Sequence, residues 1–312
     1  MTKTATAQPP ATPTEITAPL LPPTELGLAE NPLILALPPS ANTPEQINAA
    51  KLIASQFTER TGYTVVTVVP DSYSALVDAL ENGNAHIVLL DPYAYELAYQ
   101  KGLVKAVYAV MKEGESLYGA QFVATRKGGF ESFYNSNADE NTADAKTALA
   151  QFADKKPCWS DETSASGYVV PLGFLNENQI VTKPAAFVGG HPTVIRSLYA
   201  SGICDFGATY IDARKFPSLE DEFPDLLEQV IVVWQIPAII PYDVLALSTN
   251  MPEAMRDLFS NQIAAIMQTD NGREAFKVAY GIEELQVSND GFYEKFHIYV
   301  DESGVDLSTL VK

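Results

Sequence analysis

Across 312 residues the chain carries 46% apolar and 19% charged residues, with a formal net charge of −19. That is enough apolar material for about two domains or one large one, each with a real core. The acidic balance excludes nucleic acid as a partner, because binding a phosphate backbone needs an excess of Lys and Arg. No apolar run approaches the roughly 18 residues a transmembrane helix requires.

The first 31 residues, MTKTATAQPPATPTEITAPLLPPTELGLAEN, are rich in Pro, Thr and Ala, without periodicity. They read as a flexible tether. The opening MTKTATAQPP lacks the apolar stretch of a secretion signal. Such tails follow an exported or lipid-anchored N-terminus whose signal Met1 would have replaced; the other reading is a natural cytoplasmic tail.

The run PLILALPPS from Pro32 has the continuous apolar character of a buried parallel strand. Thr43, Pro44 and Gln46 then form a capping box, and Ile47, Ala50, Ile53 and Phe57 make the inner face of a helix that Gly62 stops. YTVVTVVP is a second, β-branched strand. A helix follows, capped by Asp71 or Ser72, then the strand AHIVLLDP, the helix YAYELAYQKG and the strand VKAVYAVM. Strands alternating with helices imply a parallel sheet covered on both faces, with right-handed crossovers.

The pattern restarts at Tyr118 with the strand YGAQFVATR. Residues 127–146 are polar and acidic and read as a surface excursion. A short helix and the strand around Cys158 lead into SDETSASG, which opens the helix ending in GFLNEN. AAFVGG, HPTVIRSLYASG and ICDFGATY supply strand, helix and strand, and QVIVVWQIPAII a further strand. Then come the strand YDVLALSTN, a long helix broken at Gly272, and a C-terminal helix within DGFYEKFHIYVDES that packs back on the first unit.

Four loops at strand ends carry the chemistry, where open α/β sheets bind ligands. Thr163, Ser164, Ser166 and Gly167 stand at a helix N-terminus, where unpaired N–H groups and the helix dipole favour an anion. Hydroxyls add donors, and glycine allows close approach of the backbone. Ordinary helix capping would use the same residue types. His191 follows the next strand, as a donor to the same anion or as a surface residue. Asp91, Pro92 and Tyr93, and later Asp243, are either turn residues or part of a pocket. Nothing in the chain has the form of a catalyst. There are three histidines, no phosphate-binding P-loop, no Gly-x-Ser-x-Gly turn and no metal-ligand spacing, so no cofactor or metal is expected. Two cysteines, Cys158 and Cys204, suit an oxidising compartment as a pair, or are two ordinary buried thiols.

At DETSASGYVVP, GGHPTVIRSLYASGICDFGAT, DPYAY and IPYDVLALS the sequence resembles the periplasmic phosphonate-binding proteins, the receptors of phosphate, phosphite and phosphonate ABC transporters, over about residues 32–300. The resemblance implies an α/β, two-lobed type 2 periplasmic-binding-protein fold: two mixed or parallel sheets flanked by helices, with a hinge between them. The tether then spans 1–31, lobe 1 spans 32–117 plus 243–312, and lobe 2 spans 118–242. It implies that Thr163, Ser164, Ser166 and Gly167 hold an anionic head group with His191, and that Tyr118 belongs to the pocket. Asp243 matches an acid that meets an aminoalkyl substituent. Tyr210 or Asp212 takes a position beside the ligand, and on lobe 1 Tyr93, Tyr73 and Ser40 lie at contact loops. Ala165, between the two serines, removes one hydroxyl, and Trp159 and the acidic excursion depart from the family pattern. If Cys158 and Cys204 fall on neighbouring strands, a bridge needs their Cα atoms within about 7 Å.

The expected function is an extracytoplasmic, lipid-anchored solute receptor that closes on a small phosphorus oxyanion and delivers it to an ABC permease, touching the membrane only through its N-terminal anchor. A sensory or orphan receptor for another anion or an amine-bearing ligand keeps the same fold. An enzyme on these lobes, such as a deaminase or a pyrimidine-precursor synthase, lacks an activated nucleophile or a metal.

Overall fold

The computed structural model describes residues 25–312. The first lobe is built on a six-stranded sheet in the order β13-β4-β12-β3-β1-β2. Its strands are β1 (Leu33–Ala36), β2 (Val65–Val68), β3 (Ile87–Leu90), β4 (Val104–Met111), β12 (Val244–Ser248) and β13 (Glu284–Val287). The second lobe is built on a five-stranded sheet in the order β11-β5-β10-β8-β9, made of β5 (Leu117–Thr125), β8 (Pro157–Trp159), β9 (Ala186–Phe187), β10 (Phe206–Tyr210) and β11 (Val230–Pro241). A hairpin of β6 (Tyr134–Asn135) and β7 (Glu140–Asn141) stands apart.

Both sheets are mixed. β1 is parallel to β2 and β3, whereas β12 enters antiparallel between β3 and β4. β8 is parallel to β9 and β10, while β5 runs antiparallel to β10 and β11. The chain passes between the lobes through Lys112–Ser116, from β4 to β5, and through Tyr242–Asp243, from β11 to β12.

Local chemistry sets the element ends. Thr43 closes the capping box with Gln46, and Gly62 ends that helix in the left-handed region at φ 76°. Ser72 rather than Asp71 caps the next helix, its hydroxyl accepting from Ala75 N–H. The break in the late helical stretch falls at Thr269, not at Gly272. Thr269 caps the helix Asp270–Tyr280 and accepts from Gly272 N–H, and Gly272 lies inside that first turn because a Cβ there would come 2.0 Å from the Ile266 carbonyl.

The tether expected over residues 1–31 lies outside the described residues up to residue 24. From Glu25 the chain folds against the first lobe. Gly27 accepts from Thr64 N–H at 2.7 Å, and its bare Cα faces the Tyr63 ring.

The acidic excursion covers the β11 edge of the second sheet. Ser132 Oγ donates to Val232 O at 2.7 Å, Phe133 N–H to Val233 O at 2.8 Å, and the Asn141 side chain pairs with both backbone groups of Gln235 at 2.8 and 2.9 Å. An uncovered edge of this apolar strand would invite pairing with another chain. Trp159 is a core residue, 2% exposed, and meets the Phe206 ring edge-on with centroids 6.0 Å apart. Cys158 on β8 and Cys204, just before the neighbouring β10, are joined by a disulfide with Cα atoms 5.6 Å apart.

The helix Glu294–Ser303 touches both lobes. His297 pairs with the buried Glu96 and stacks on Tyr99 at 4.0 Å, both on the first-lobe helix Pro92–Gln100. Two residues on, Tyr299 stacks on Phe174 of the second-lobe helix Val170–Glu177 at 3.6 Å. Gly173 permits that approach, since a Cβ would lie 1.9 Å from the Tyr299 carbonyl oxygen.

Candidate functional site

The loops after β8, β9 and β10 converge in the second lobe. Ser160–Ser164 leads into a wide π-type turn, Ala165–Val169, before the helix Val170–Glu177 begins. Such turns recur at functional sites. Ser164 caps this turn, its Oγ accepting from Gly167 N–H at 3.0 Å and standing 3.5 Å from His191 Nε2. His191 opens the helix His191–Ala200, and its Nδ1 accepts from Tyr210 N–H at 3.3 Å. Nε2 therefore carries the proton of the neutral ring and faces the serine loop. Burial pushes the His191 pKa below its ordinary value, against the opposing pull of Asp161. The Tyr210 ring meets the imidazole edge-on at 4.8 Å.

Gly167 is required here. A Cβ would fall 2.0 Å from Ser160 Oγ and 2.9 Å from His191 Cε1. The Ser160 carbonyl in turn accepts from Gly189 and Gly190 N–H at 2.6 and 2.9 Å. One residue thereby ties the serine loop to the histidine loop. Its own hydroxyl, fully buried, has no partner.

The first lobe supplies a different chemistry. Asp91 follows β3 and caps the helix Pro92–Gln100, accepting from Ala94 N–H at 2.7 Å. Burial raises its pKa in spite of that bond. Asp243, at the start of β12, is raised by burial and by Asp91, with Lys112 opposing. Tyr73 stands close to both acids, and burial followed by Asp243 and Asp91 raises its phenol. Tyr93 is 6% exposed and its hydroxyl is unpartnered. Burial first, then Tyr118, Asp91, Asp161 and Tyr168, hold its phenol far above the ordinary value. Three of those neighbours, Tyr118, Asp161 and Tyr168, belong to the second lobe, so this hydroxyl faces across the divide.

Tyr118 stands where the chain enters the second lobe. It lines the cleft beside Ser166, which is 4% exposed, and stacks on Tyr242 of the other crossing at 5.1 Å. Burial, then Tyr242, push its phenol up to about 12. Beside Ser166, His191, Tyr118, Tyr210 and Tyr242 opens a cleft of about 860 Å³.

Of the expected site residues, Ser166, His191, Tyr118 and Tyr210 line this cleft, Ser164 and Gly167 belong to the same serine loop, and Tyr73, Tyr93, Asp91 and Asp243 cluster on the first-lobe side without lining it. Thr163 lies on the exposed outer side of the loop with its hydroxyl given to Asp161 at 2.8 Å. Of the alternatives Tyr210 and Asp212, Tyr210 lines the cleft, whereas Asp212 is exposed and paired with Lys215 at 3.1 Å. Ser40 is exposed on the loop after β1, and none of these contacts involves it. Sequence reasoning passed over Tyr242 and Ser160. The first adjoins Asp243 in IPYDV, the second adjoins Asp161 in the loop, so position alone pointed to both.

The chain matches the family described as "ABC transporter, phosphonate, periplasmic substrate-binding protein" over residues 35–293. It belongs to this family. Members are extracytoplasmic transport receptors, not an enzyme class, and they work with ABC permease components. A curated relative, the phosphate-import protein PhnD of Mycolicibacterium smegmatis, is 26% identical over 188 residues, 57% of this chain and 54% of that protein. The chain thus aligns with about half the length of the curated relative. Among solved structures, XAC2383 from Xanthomonas citri bound to ATP superposes with a TM-score of 0.60 at 15% identity, covering 90% of this chain and 99% of that one. That likeness concerns the fold. PhnD1 from Prochlorococcus marinus in complex with methylphosphonate aligns with a TM-score of 0.49 at 14% identity, covering 87% of this chain and 98% of that one.

Proposed function

We propose that this receptor captures a small phosphorus oxyanion head group between its lobes and delivers it to an ABC permease. The lobes divide at residues 117/118 and 242/243 and close by rotation about those crossings. The observation that carries the reading is the cluster of neutral donors around the π-type turn: the Ser164 and Ser166 hydroxyls and His191 Nε2, at a helix start. Among the described residues no lysine or arginine lines the cleft. An anion there would be held by hydrogen bonds and by the helix dipole, which suits selective and reversible capture.

Asp91 and Asp243 support one refinement. Two desolvated acids on the first-lobe side favour a ligand whose oxyanion head presents a proton to that lobe. The Tyr93 hydroxyl supplies a donor whose burial is already complete.

Calorimetry with methylphosphonate, phosphite and phosphate tests the proposal. The double variant Ser164→Ala/Ser166→Ala removes two hydrogen bonds to a charged group, each worth about 1.5–3 kcal/mol, so affinity should fall roughly 100- to 10,000-fold. Unchanged affinity in a variant that still melts cooperatively overturns the reading. Export to an oxidising compartment is supported by the Cys158–Cys204 bridge.

A further inference from the structure

The cleft is larger than a bare oxyanion needs. Its volume of about 860 Å³ lies near the upper end of the roughly 300–1,000 Å³ typical of pockets that enclose drug-sized ligands. The cradle of Ser166 and His191 takes one end. The remainder runs beside the two crossings and is walled by Leu117, Tyr118, Ile211, Ala238 and Tyr242.

Two features of the sequence hold this annex open. β11 loses register with β5 between Ile236 and Ile240, and this bulge leaves Pro237 and Ala238 exposed, with Ala238 on the annex wall. Bulges next to sites commonly redirect side chains in this way. Opposite it, Gly119 has no side chain to fill the space, because a Cβ there would meet Ile236 O at 2.6 Å and Ile211 Cδ1 at 2.8 Å. The annex also lies against the crossings, and in a rotation the displacement grows with distance from the axis. Closure of the lobes therefore narrows the cradle more than the annex.

The wall is apolar and flat. The Tyr118–Tyr242 pair, 28° from parallel, offers ring surface, and Lys112 Nζ sits over the Tyr242 ring, 5.0 Å from its centroid. At the outer end stand Glu113 and Glu115, on a tight turn closed by paired Lys112 and Glu115 backbone bonds of 2.8 and 3.0 Å. Both are exposed, and the two carboxylates outnumber the single Lys112 ammonium over Tyr242, so the rim is net negative and disfavours a second negative charge.

We infer that the annex receives the substituent of the ligand: an organophosphonate or phosphate monoester whose substituent is apolar, about the size of an aromatic ring, and free of negative charge. This rests on the cradle being an oxyanion site, and the experiment separates the two. Affinities are measured by calorimetry for methylphosphonate, benzylphosphonate and 4-carboxybenzylphosphonate. Benzylphosphonate should bind about tenfold or more tighter than methylphosphonate, since a buried ring adds area and stacking. The carboxylated analogue should lose that gain, and Glu113→Gln/Glu115→Gln should restore it. In Ala238→Trp, which fills the annex, benzylphosphonate should bind no tighter than methylphosphonate. If wild-type protein binds methylphosphonate as well as or better than benzylphosphonate, the annex inference falls and the oxyanion reading stands. If no phosphonate binds, both fall.

Discussion

Gly167→Ala is the sharpest probe of the cradle. The added methyl would sit 2.0 Å from Ser160 Oγ, 2.8 Å from Ser160 Cβ and 2.9 Å from His191 Cε1. Comfortable heavy-atom contacts are about 3.5–4.0 Å, so within the serine loop Gly167 and Ser160 must part by roughly 1.5 Å at Oγ, and the histidine loop must move off by about 0.6 Å or more. A change of rotamer moves only the Ser160 Oγ; its Cβ, 2.8 Å away, is held by backbone bonds to Gly167, Gly189 and Gly190. Overpacking of this kind costs about 1–3 kcal/mol. The shift also exceeds the roughly 0.5 Å tolerance of a pre-organised site, so oxyanion affinity should fall at least about tenfold. Urea unfolding and calorimetry on the same protein read both effects. Ser160→Gly removes two of the three offending atoms together with a buried hydroxyl that has no partner. In the Gly167→Ala background it should return stability, a coupling of opposite sign to its own cost of about 0.5–1 kcal/mol. A Gly167→Ala protein with wild-type unfolding and wild-type affinity, or strictly additive effects in the double variant, would refute the packing argument.

The other predictions concern the bridge, the histidines and the first-lobe acid. Replacing Cys158 and Cys204 by serine removes a cross-link spanning 46 residues, for which chain entropy gives a loss of about 4 kcal/mol; reduced wild-type protein should show the same urea midpoint as the double variant. The folded-state pKa values of His86 and His191 lie below the ordinary 6.5 because both are buried. The unfolded chain therefore takes up protons first, and stability should be full above about pH 6.5 and decline as pH falls below it. Titration midpoints followed by NMR at or above 6.5 for both rings would contradict this. Asp243 has the opposite sign. Its raised pKa means that ionisation opposes folding at neutral pH, so Asp243→Asn should raise the melting temperature of ligand-free protein at pH 7, with the gain fading toward pH 4. A neutral-pH melting temperature at or below wild type would count against that assignment.

Local signals made much of the architecture legible. The capping box at Thr43, the alternation of apolar strands with amphipathic helices and the polar loop before Val169 each point to the element found there. What was not legible depends on partners distant in sequence. The strand YDVLALS is readable as a strand, but its insertion between β3 and β4 is set by which two edges it fills. Thr269 outcompetes Gly272 as the helix break because a threonine hydroxyl caps the new helix, whereas the glycine answers to a close approach by Ile266. In the cleft, hydroxyl-rich loops announce themselves by composition. The Tyr118–Tyr242 stack and the buried Ser160 hydroxyl do not, since each depends on a meeting of separate segments. Asp212 shows the converse, a polar residue beside a strand end that turns outward to Lys215.

The antiparallel insertion of β12 has a consequence for how this chain matures. Leu245 and Leu247 enter the core on one face of the first sheet, and Val244 and Ala246 enter the core on the other. Until residues 244–248 arrive, β3 and β4 each present an unpaired edge and the sheet lacks its middle. The opening third of the chain, up to Met111, therefore has an incomplete sheet on its own. Its completion waits on a contact far along the sequence, which slows folding by loop closure. The second sheet, whose strands all lie within residues 117–241, is complete before β12 arrives, so the lobe that begins the chain is the later of the two to close.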